Sequence, residues 1–186
     1  ERYGLFTLIL LGESIIAVMA GMKEQEYWSV PAATSAATGL GIALALWWCY
    51  FDTLKAAAPR HVRTAADSRR LGLWTLAHFP LCLGIALSAV GVEHVIIQDG
   101  MHPLPGLEPW ILCGGMGLVF AALGIIGGTA SRRTAAALTP GILIGTGITL
   151  AAPLGGAVAP VVLLVLLLAF ALAQIGVTRR AVREPA

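Results

Sequence analysis

The sequence predicts an all-α protein, a polytopic membrane bundle of about six transmembrane helices. Of the 186 residues, 58% are hydrophobic and only 12% are charged, whereas a soluble domain is about 25% charged. The apolar residues form blocks of roughly 18–22, the length of a helix that crosses a bilayer. With a mean hydropathy of +0.83, these values exclude a soluble domain, a disordered chain and a nucleic-acid-binding protein. They also exclude a transmembrane barrel, whose strands alternate in hydrophobicity.

Six apolar segments define the predicted spans. We place them at residues 3–22, 32–54, 71–92, 109–130, 135–152 and 158–177. The fifth is the least regular, because it is short and Pro140 interrupts it. We expect residues 1–186 to form a single transmembrane domain. Because the chain begins at the edge of the first span, we also expect it to be the later half of a longer membrane protein.

The distribution of basic residues predicts that both chain ends face the cytoplasm. Every Lys and Arg except Lys23 lies in one set of alternating polar segments. This set comprises the chain start, loop 55–70, loop 131–134 and the C-terminal tail. Cytoplasmic loops of membrane proteins carry an excess of Lys and Arg, so these segments are predicted to lie inside. A lipid-headgroup patch in loop 55–70 is the alternative interpretation of its basic residues.

In the first span, Glu13 is the main functional candidate. It follows Arg2 by about eleven residues, roughly 16 Å along a helix, and so lies near the bilayer centre. A charged side chain there costs about 2.5–3.5 kcal/mol on insertion scales, which the apolar residues of the span offset. An ionisable residue in a span is by default a functional-site hypothesis. We therefore predict a role for Glu13 in transport or proton relay, with a structural, hydrogen-bonded carboxyl as the alternative.

The second span combines a packing signal with an acidic residue at its end. Small residues recur at every fourth position, Ala33, Ala37, Gly41 and Ala45, which favours close helix packing. Aromatic residues typical of a membrane interface come next, and Asp52 follows them. We expect Asp52 to pair with Arg2 or with a loop arginine, either as a structural ion pair or as a cytoplasmic gate.

The third span contains His78 and, two residues later, Pro80. Proline removes one hydrogen bond of the helix and favours a kink. Histidine titrates near neutral pH, so His78 is a candidate relay partner for Glu13. A histidine that is hydrogen-bonded to a backbone carbonyl within the bundle is the alternative.

The loop after the third span gathers four side chains that could bind a metal: Glu93, His94, Asp99 and His102. Their spacing matches no strong metal motif, and three prolines make the segment rich in turns. We therefore predict a solvated external loop and no metal or other cofactor.

The last three spans are defined by glycine spacing and by uniform apolarity. Glycines that favour close packing lie in the fourth span at Gly117, Gly124 and Gly128, and in the fifth at Gly141 and Gly145. The sixth span is almost entirely Leu, Val and Ala, which predicts that it faces lipid.

Three motifs resemble one known family. Residues 1–14, ERYGLFTLILLGES, resemble the signature of the bacterial low temperature requirement protein A family. Residues 48–52, WCYFD, and 76–81, LAHFPL, resemble its later motifs in the same order. The resemblance covers residues 1–94 and implies a bacterial membrane protein with further spans before Glu1. Carried over by position, it points to Glu1, Arg2, Gly4, Phe6, Gly12, Glu13, Asp52 and His78. We take Gly12 as a packing residue and Glu1, with Arg2, as an ion-pair candidate.

Our leading functional prediction is ion- or proton-linked transport, or a channel-like activity, centred on Glu13. A non-transporting scaffold or sensor, in which the polar residues are structural, is the second hypothesis. A membrane-embedded lipid enzyme is the third, and we do not predict an enzyme. The expected partners are the lipid bilayer of the bacterial cytoplasmic membrane, an unknown small ion or solute and preceding helices of the same protein, but no nucleic acid.

Overall fold

The computed structural model describes residues 2–55, 64–129 and 158–183, together with positions 139, 142, 143, 145–147, 149 and 150. Five helices are α1 (Arg2–Lys23), α2 (Val30–Lys55), α3 (Ala65–Ile97), α4 (Glu108–Gly128) and α5 (Pro160–Arg183). Each contains a stretch that is long and apolar enough to cross a membrane. The prediction of a polytopic helical membrane bundle is therefore confirmed.

Helix boundaries agree with the predicted spans to within about two residues, except in α3, at the end of α5, which continues six residues past the predicted 177, and in the fifth span. The 33 residues of α3 extend about 50 Å, well beyond a hydrocarbon core of about 30 Å. Thr64 starts this helix through a capping box with Asp67, whose backbone nitrogen lies 3.2 Å from the Thr64 hydroxyl. The first turns of α3 therefore project beyond the membrane on the predicted cytoplasmic side. The fifth span, 135–152, lies mostly outside the described residues, and its described positions are helical.

Glycines bring α3 and α4 into the closest contact between two of these helices. A Cβ atom on Gly84 would lie 2.7 Å from the Gly115 carbonyl oxygen, and one on Gly91 would lie 2.7 Å from the Leu112 Cα. A Cβ on Gly115 would lie 2.7 Å from the Ser88 backbone nitrogen. Only hydrogen atoms fit at these positions, so the two backbones pack directly against each other, as small residues allow in membranes.

The glycines predicted to pack helices have different environments. Gly41 of α2 lies against Leu168 of α5, whereas Gly117 and Gly124 of α4 contact Thr149 and Ile142. Gly145 packs against Phe120. Among the described atoms, a Cβ on Gly12 would meet nothing within 4 Å. Gly128 is exposed near the end of α4, and Gly141 lies outside the described residues.

Helix α1 has one covered face and one uncovered face. Its buried residues, Thr7, Leu11, Val18 and Gly21, follow helical spacing and face α2 and α3. Only 28% of its apolar window is buried, compared with 61% for α4. Most of the α1 surface is therefore not covered by the described part of the bundle.

Hydrogen bonds join the helix ends and loops at the predicted outer side of the bundle. The Gln25 side chain donates to the Ile96 carbonyl at 2.8 Å, and the Ser29 hydroxyl donates to Asp99. The Val161 nitrogen donates to the Gly100 carbonyl at 2.9 Å. Asp99 and Gly100 have positive φ angles of 58° and 68°. The end of α3 and the turn that follows it are therefore hydrogen-bonded to the α1–α2 loop and to the start of α5.

Candidate functional site

Three helices meet at the imidazole of His78, which is only 2% exposed. The ring centroid of Tyr3, at the start of α1, lies 4.5 Å from that of His78. The Trp74 ring, one turn earlier on α3, lies at the same distance. Tyr50, near the end of α2, places its hydroxyl 3.3 Å from the His78 Nε2. The segments that carry the three motifs thus converge at one point near the predicted cytoplasmic side.

The hydrogen bonds of His78 define its tautomer. Its Nδ1 lies 2.7 Å from the Trp74 carbonyl oxygen, and a carbonyl only accepts, so Nδ1 carries the proton. In a neutral ring Nε2 is then an acceptor, and the Tyr50 hydroxyl donates to it. Thr7 of α1 is fully buried and is a second polar neighbour of the Tyr50 hydroxyl. The three helices are therefore joined by a polar network in the membrane.

An open cavity of about 400 Å³ lies beside this network. Its walls are Tyr3, Gly4, Leu5, Leu8, Tyr50, Phe51, Leu54 and Trp74. No formally charged side chain is among them, and the polar groups are two phenol hydroxyls and an indole N–H. The cavity suits an apolar or aromatic molecule better than a bare ion, because a bare ion needs charged or carbonyl ligands.

Glu13 lies elsewhere, on the uncovered face of α1. Tyr3, which packs on His78, precedes Glu13 by ten residues, about 15 Å along the helix axis. The structure therefore does not bring Glu13 and His78 together. A relay between them requires groups or water molecules in the intervening space.

Charged side chains form a line along the uncovered face of α1. Arg2, Glu13 and Glu24 are each exposed and are spaced by eleven residues, which is close to three helical turns and about 16 Å. Glu24 follows the helix directly, and its nitrogen still donates to the Ala20 carbonyl at 3.2 Å. One face of α1 therefore carries an ionisable side chain near each end of the helix and one midway along it.

Asp52 pairs with a residue that the sequence analysis did not consider. Arg179 of α5 places its Nε 3.1 Å from the Asp52 carboxylate, and the same guanidinium lies 4.4 Å from the Trp48 ring centroid. Lys55 is 3.9 Å from the other carboxylate oxygen. In the described part of the chain, Asp52 does not pair with Arg2, and of the loop arginines expected as alternative partners, Arg60 and Arg63 lie outside the described residues. Glu1 lies outside the described residues.

The four possible metal ligands near the predicted outer loop do not converge. His94 faces Glu108 of α4 at 3.8 Å, and Asp99 binds Ser29. Glu93 is partly exposed near the end of α3, and His102 is exposed. Within the described ranges, no three His, Cys, Asp or Glu side chains are grouped so that they could hold a metal ion. The contact between His94 and Glu108 was not predicted, because Glu108, the last residue before the predicted fourth span, was not counted among the possible ligands.

Pro80 lies inside α3, which continues through it to Ile97. Since proline has no backbone N–H, the Leu76 carbonyl receives no helical hydrogen bond from it. The helix is continuous at this point, and the kink expected at Pro80, beside His78, stays a prediction.

Comparison with known proteins identifies the family. A family model described as bacterial low temperature requirement A protein (LtrA) matches residues 1–175. The comparison with curated proteins found no match, and neither did the comparison with solved structures. The match covers all five described helices except the last turns of α5, and it extends well beyond the motifs at His78 and Glu13. This chain, a multi-pass integral membrane protein, therefore belongs to the bacterial low temperature requirement A family.

Proposed function

We propose that this protein carries out ion- or proton-linked transport, with Glu13 as the coupling carboxylate. The observation that supports this most directly is the position of Glu13, exposed midway along an apolar helix on a face that no described helix covers. A carboxylate is costly against lipid at this depth, by about 2.5–3.5 kcal/mol on insertion scales. This face is therefore better explained by a water-filled path or a protein surface than by lipid contact.

The line of Arg2, Glu13 and Glu24 supports the same proposal. Groups about 16 Å apart cannot exchange a proton directly, so the proposal includes water or the transported ion between them. Intramembrane carboxylates that line such paths are typical of pumps and transporters. In this proposal, helices of the same protein that precede Glu1 form the opposite wall, and the protein lies in the bacterial cytoplasmic membrane, with both ends of the chain inside.

Flux through the complete protein in proteoliposomes tests this proposal. Wild type and Glu13→Gln are compared under an imposed pH gradient and membrane potential, over a panel of monovalent ions. Glutamine keeps the size and polarity of glutamate but does not ionise, so we expect a folded variant with little or no flux. Glu26→Gln is the matched control, because Glu26 is exposed in the turn after α1 and should keep wild-type flux. Equal flux in wild type and Glu13→Gln would show that Glu13 is not the coupling group.

A non-transporting scaffold or sensor is the second candidate function. It is favoured by the contacts of His78 with Tyr50 and of Asp52 with Arg179, each of which joins two helices. Under this alternative, neither wild type nor Glu13→Gln conducts. Glu13→Ala would also unfold at a lower temperature in detergent, because under this alternative a group that hydrogen-bonds the carboxyl would be left unsatisfied.

A further inference from the structure

The contact between His94 and Glu108 is not used by the transport proposal. It lies where α3 ends and α4 begins, at the predicted outer side. Gly91 and Leu112, each within about one turn of the pair, mark one of the closest approaches of the two helices. The relative position of the two side chains is therefore fixed by backbone packing rather than by their own attraction.

The hydrogen bond of His94 determines what its ring presents to Glu108. The Nδ1 lies 2.8 Å from the Val90 carbonyl oxygen, so Nδ1 carries the proton and a neutral ring has a lone pair on Nε2. That Nε2 lies 3.8 Å from the Glu108 Oε1, so when the ring is neutral two acceptors face each other. Histidines that bind metals usually donate their other ring N–H to a carbonyl or carboxylate in this way.

In the described part of the chain, the carboxylate of Glu108 also lacks a hydrogen-bond donor at the oxygen that does not face His94. Its second oxygen, Oε2, is buried and has no hydrogen-bond partner among the described residues. A distance of 3.8 Å is about 0.9 Å longer than a charge-assisted N–H to carboxylate hydrogen bond. Two ligand atoms of a tetrahedral zinc ion, each about 2.0–2.2 Å from it, are separated by about 3.4 Å. The gap of 3.8 Å is therefore too long for a shared proton, and a shared zinc ion requires the two side chains to approach by only about 0.4 Å.

We propose that His94 and Glu108 bind a divalent transition-metal ion at the predicted outer end of α3 and α4. An imidazole nitrogen with a carboxylate suits zinc, cobalt or nickel rather than calcium or magnesium. Both side chains are partly exposed, at 37% and 22%, so water completes the coordination. With two protein ligands the site binds its ion reversibly, and the ion links α3 to α4.

Zinc titration of the complete protein in detergent, after removal of metals with a chelator, tests this site. We expect saturable binding of one Zn²⁺ at this site, measured by calorimetry, and a higher unfolding temperature with zinc, because a ligand of the folded state stabilises it. In His94→Gln and in Glu108→Gln, the affinity should fall at least about tenfold. His102→Gln is the matched control. Its ring also contacts the carbonyl one turn earlier, that of Gln98, at 3.3 Å, and it should bind zinc like wild type.

Two results would overturn the metal site. Undiminished zinc affinity in both His94→Gln and Glu108→Gln would place the ion elsewhere. The absence of saturable zinc binding in the wild-type protein would show that a proton or water lies between the two side chains, and this result does not depend on how the variants fold. Neither result bears on Glu13, so the metal site and the transport proposal can fail independently.

Discussion

A single side chain, the imidazole of His78, connects three helices. Its Nε2 accepts a hydrogen bond from the Tyr50 hydroxyl of α2, and its ring packs on the Tyr3 ring of α1. Its Nδ1 donates a hydrogen bond to the Trp74 carbonyl of its own helix. Each of these contacts is specific to the position and rotation of its helix. A change at any of them therefore reports on how the three helices are arranged.

Replacing Tyr50 with phenylalanine isolates the polar part of this arrangement. Tyr50→Phe keeps the buried ring, which is 1% exposed, but removes the hydroxyl that faces Nε2. We expect a loss of about 1–3 kcal/mol in the free energy of unfolding, measured by denaturant titration in detergent. Tyr27→Phe is the control, because Tyr27 is 79% exposed and the change should be close to zero. Equal effects of the two substitutions would contradict the hydrogen bond to His78.

His78 also shows how much of the site could be predicted. A polar residue in an apolar span identified it, and the proposal that it bonds a backbone carbonyl agrees with its contact to Trp74. Its partners Tyr3 and Tyr50 were not predicted, because the aromatic residues of the second span were interpreted as an interfacial belt. Which ring faces inward depends on helix rotation, and spans that are apolar on all sides contain little information about rotation.

At the scale of elements, the pairing of α3 with α4 rests on small residues. Gly84, Ser88 and Gly91 follow the spacing i, i+4, i+7, the same signal that was recognised in the fourth span. The signal in the third span was thus available in the sequence but was not used there. By contrast, the partner of each glycine stripe could not be predicted, because spacing along one helix does not specify the facing helix.

Adjacent glycines of α4 provide a direct test of this contact. Gly115→Ala would place a Cβ 2.7 Å from the Ser88 nitrogen, whereas a Cβ on Gly114 meets no described atom within 4 Å. Overpacking costs about 1–3 kcal/mol, and alanine favours a helix over glycine by about 0.5–1 kcal/mol. We expect Gly115→Ala to lower the unfolding temperature in detergent and Gly114→Ala to leave it unchanged or raise it. The reverse order would show that α3 and α4 do not approach at this point.

The loop that links the outer helix ends offers a second pair of glycines. Gly100 and Gly106 have φ angles of 68° and 55°, where an L-residue costs about 1–2 kcal/mol. A Cβ on Gly100 would also collide with the Ser35 hydroxyl, while one on Gly106 meets no described atom within 4 Å. We therefore expect Gly100→Ala to destabilise the protein more than Gly106→Ala in thermal unfolding. Equal losses would mean that backbone strain alone is important at both positions.

For the whole molecule, the number and approximate position of the described spans were predicted well. A bilayer accommodates long apolar helices, and hydropathy detects the apolar segments that form them. The N-terminal extension of α3 was missed, because Asp67, Arg69 and Arg70 were assigned to a loop. These residues are compatible with a helix once the first turns lie outside the membrane. The capping box at Thr64 was a signal in the sequence that marks this start.

The predicted orientation of the whole molecule can be tested by chemical labelling. Cysteines introduced as Glu26→Cys and Met101→Cys should react in intact cells with a maleimide that does not cross the cytoplasmic membrane, because both positions are exposed at the predicted outer side. Ser68→Cys, exposed at the start of α3, should react only after the membrane is permeabilised. Labelling of Ser68→Cys in intact cells, without labelling of the other two, would invert the topology and place Lys23 inside.

The length of α3 has a mechanical consequence. Because α3 is a continuous helix of about 50 Å, a tilt of about 5° about its outer end displaces its inner end by about 4 Å. Helix α3 lacks one backbone hydrogen bond, that between Leu76 and Pro80, and so it bends most easily there. Because His78 lies between these two residues, bending of α3 would first change the ring contacts of His78 with α1 and α2.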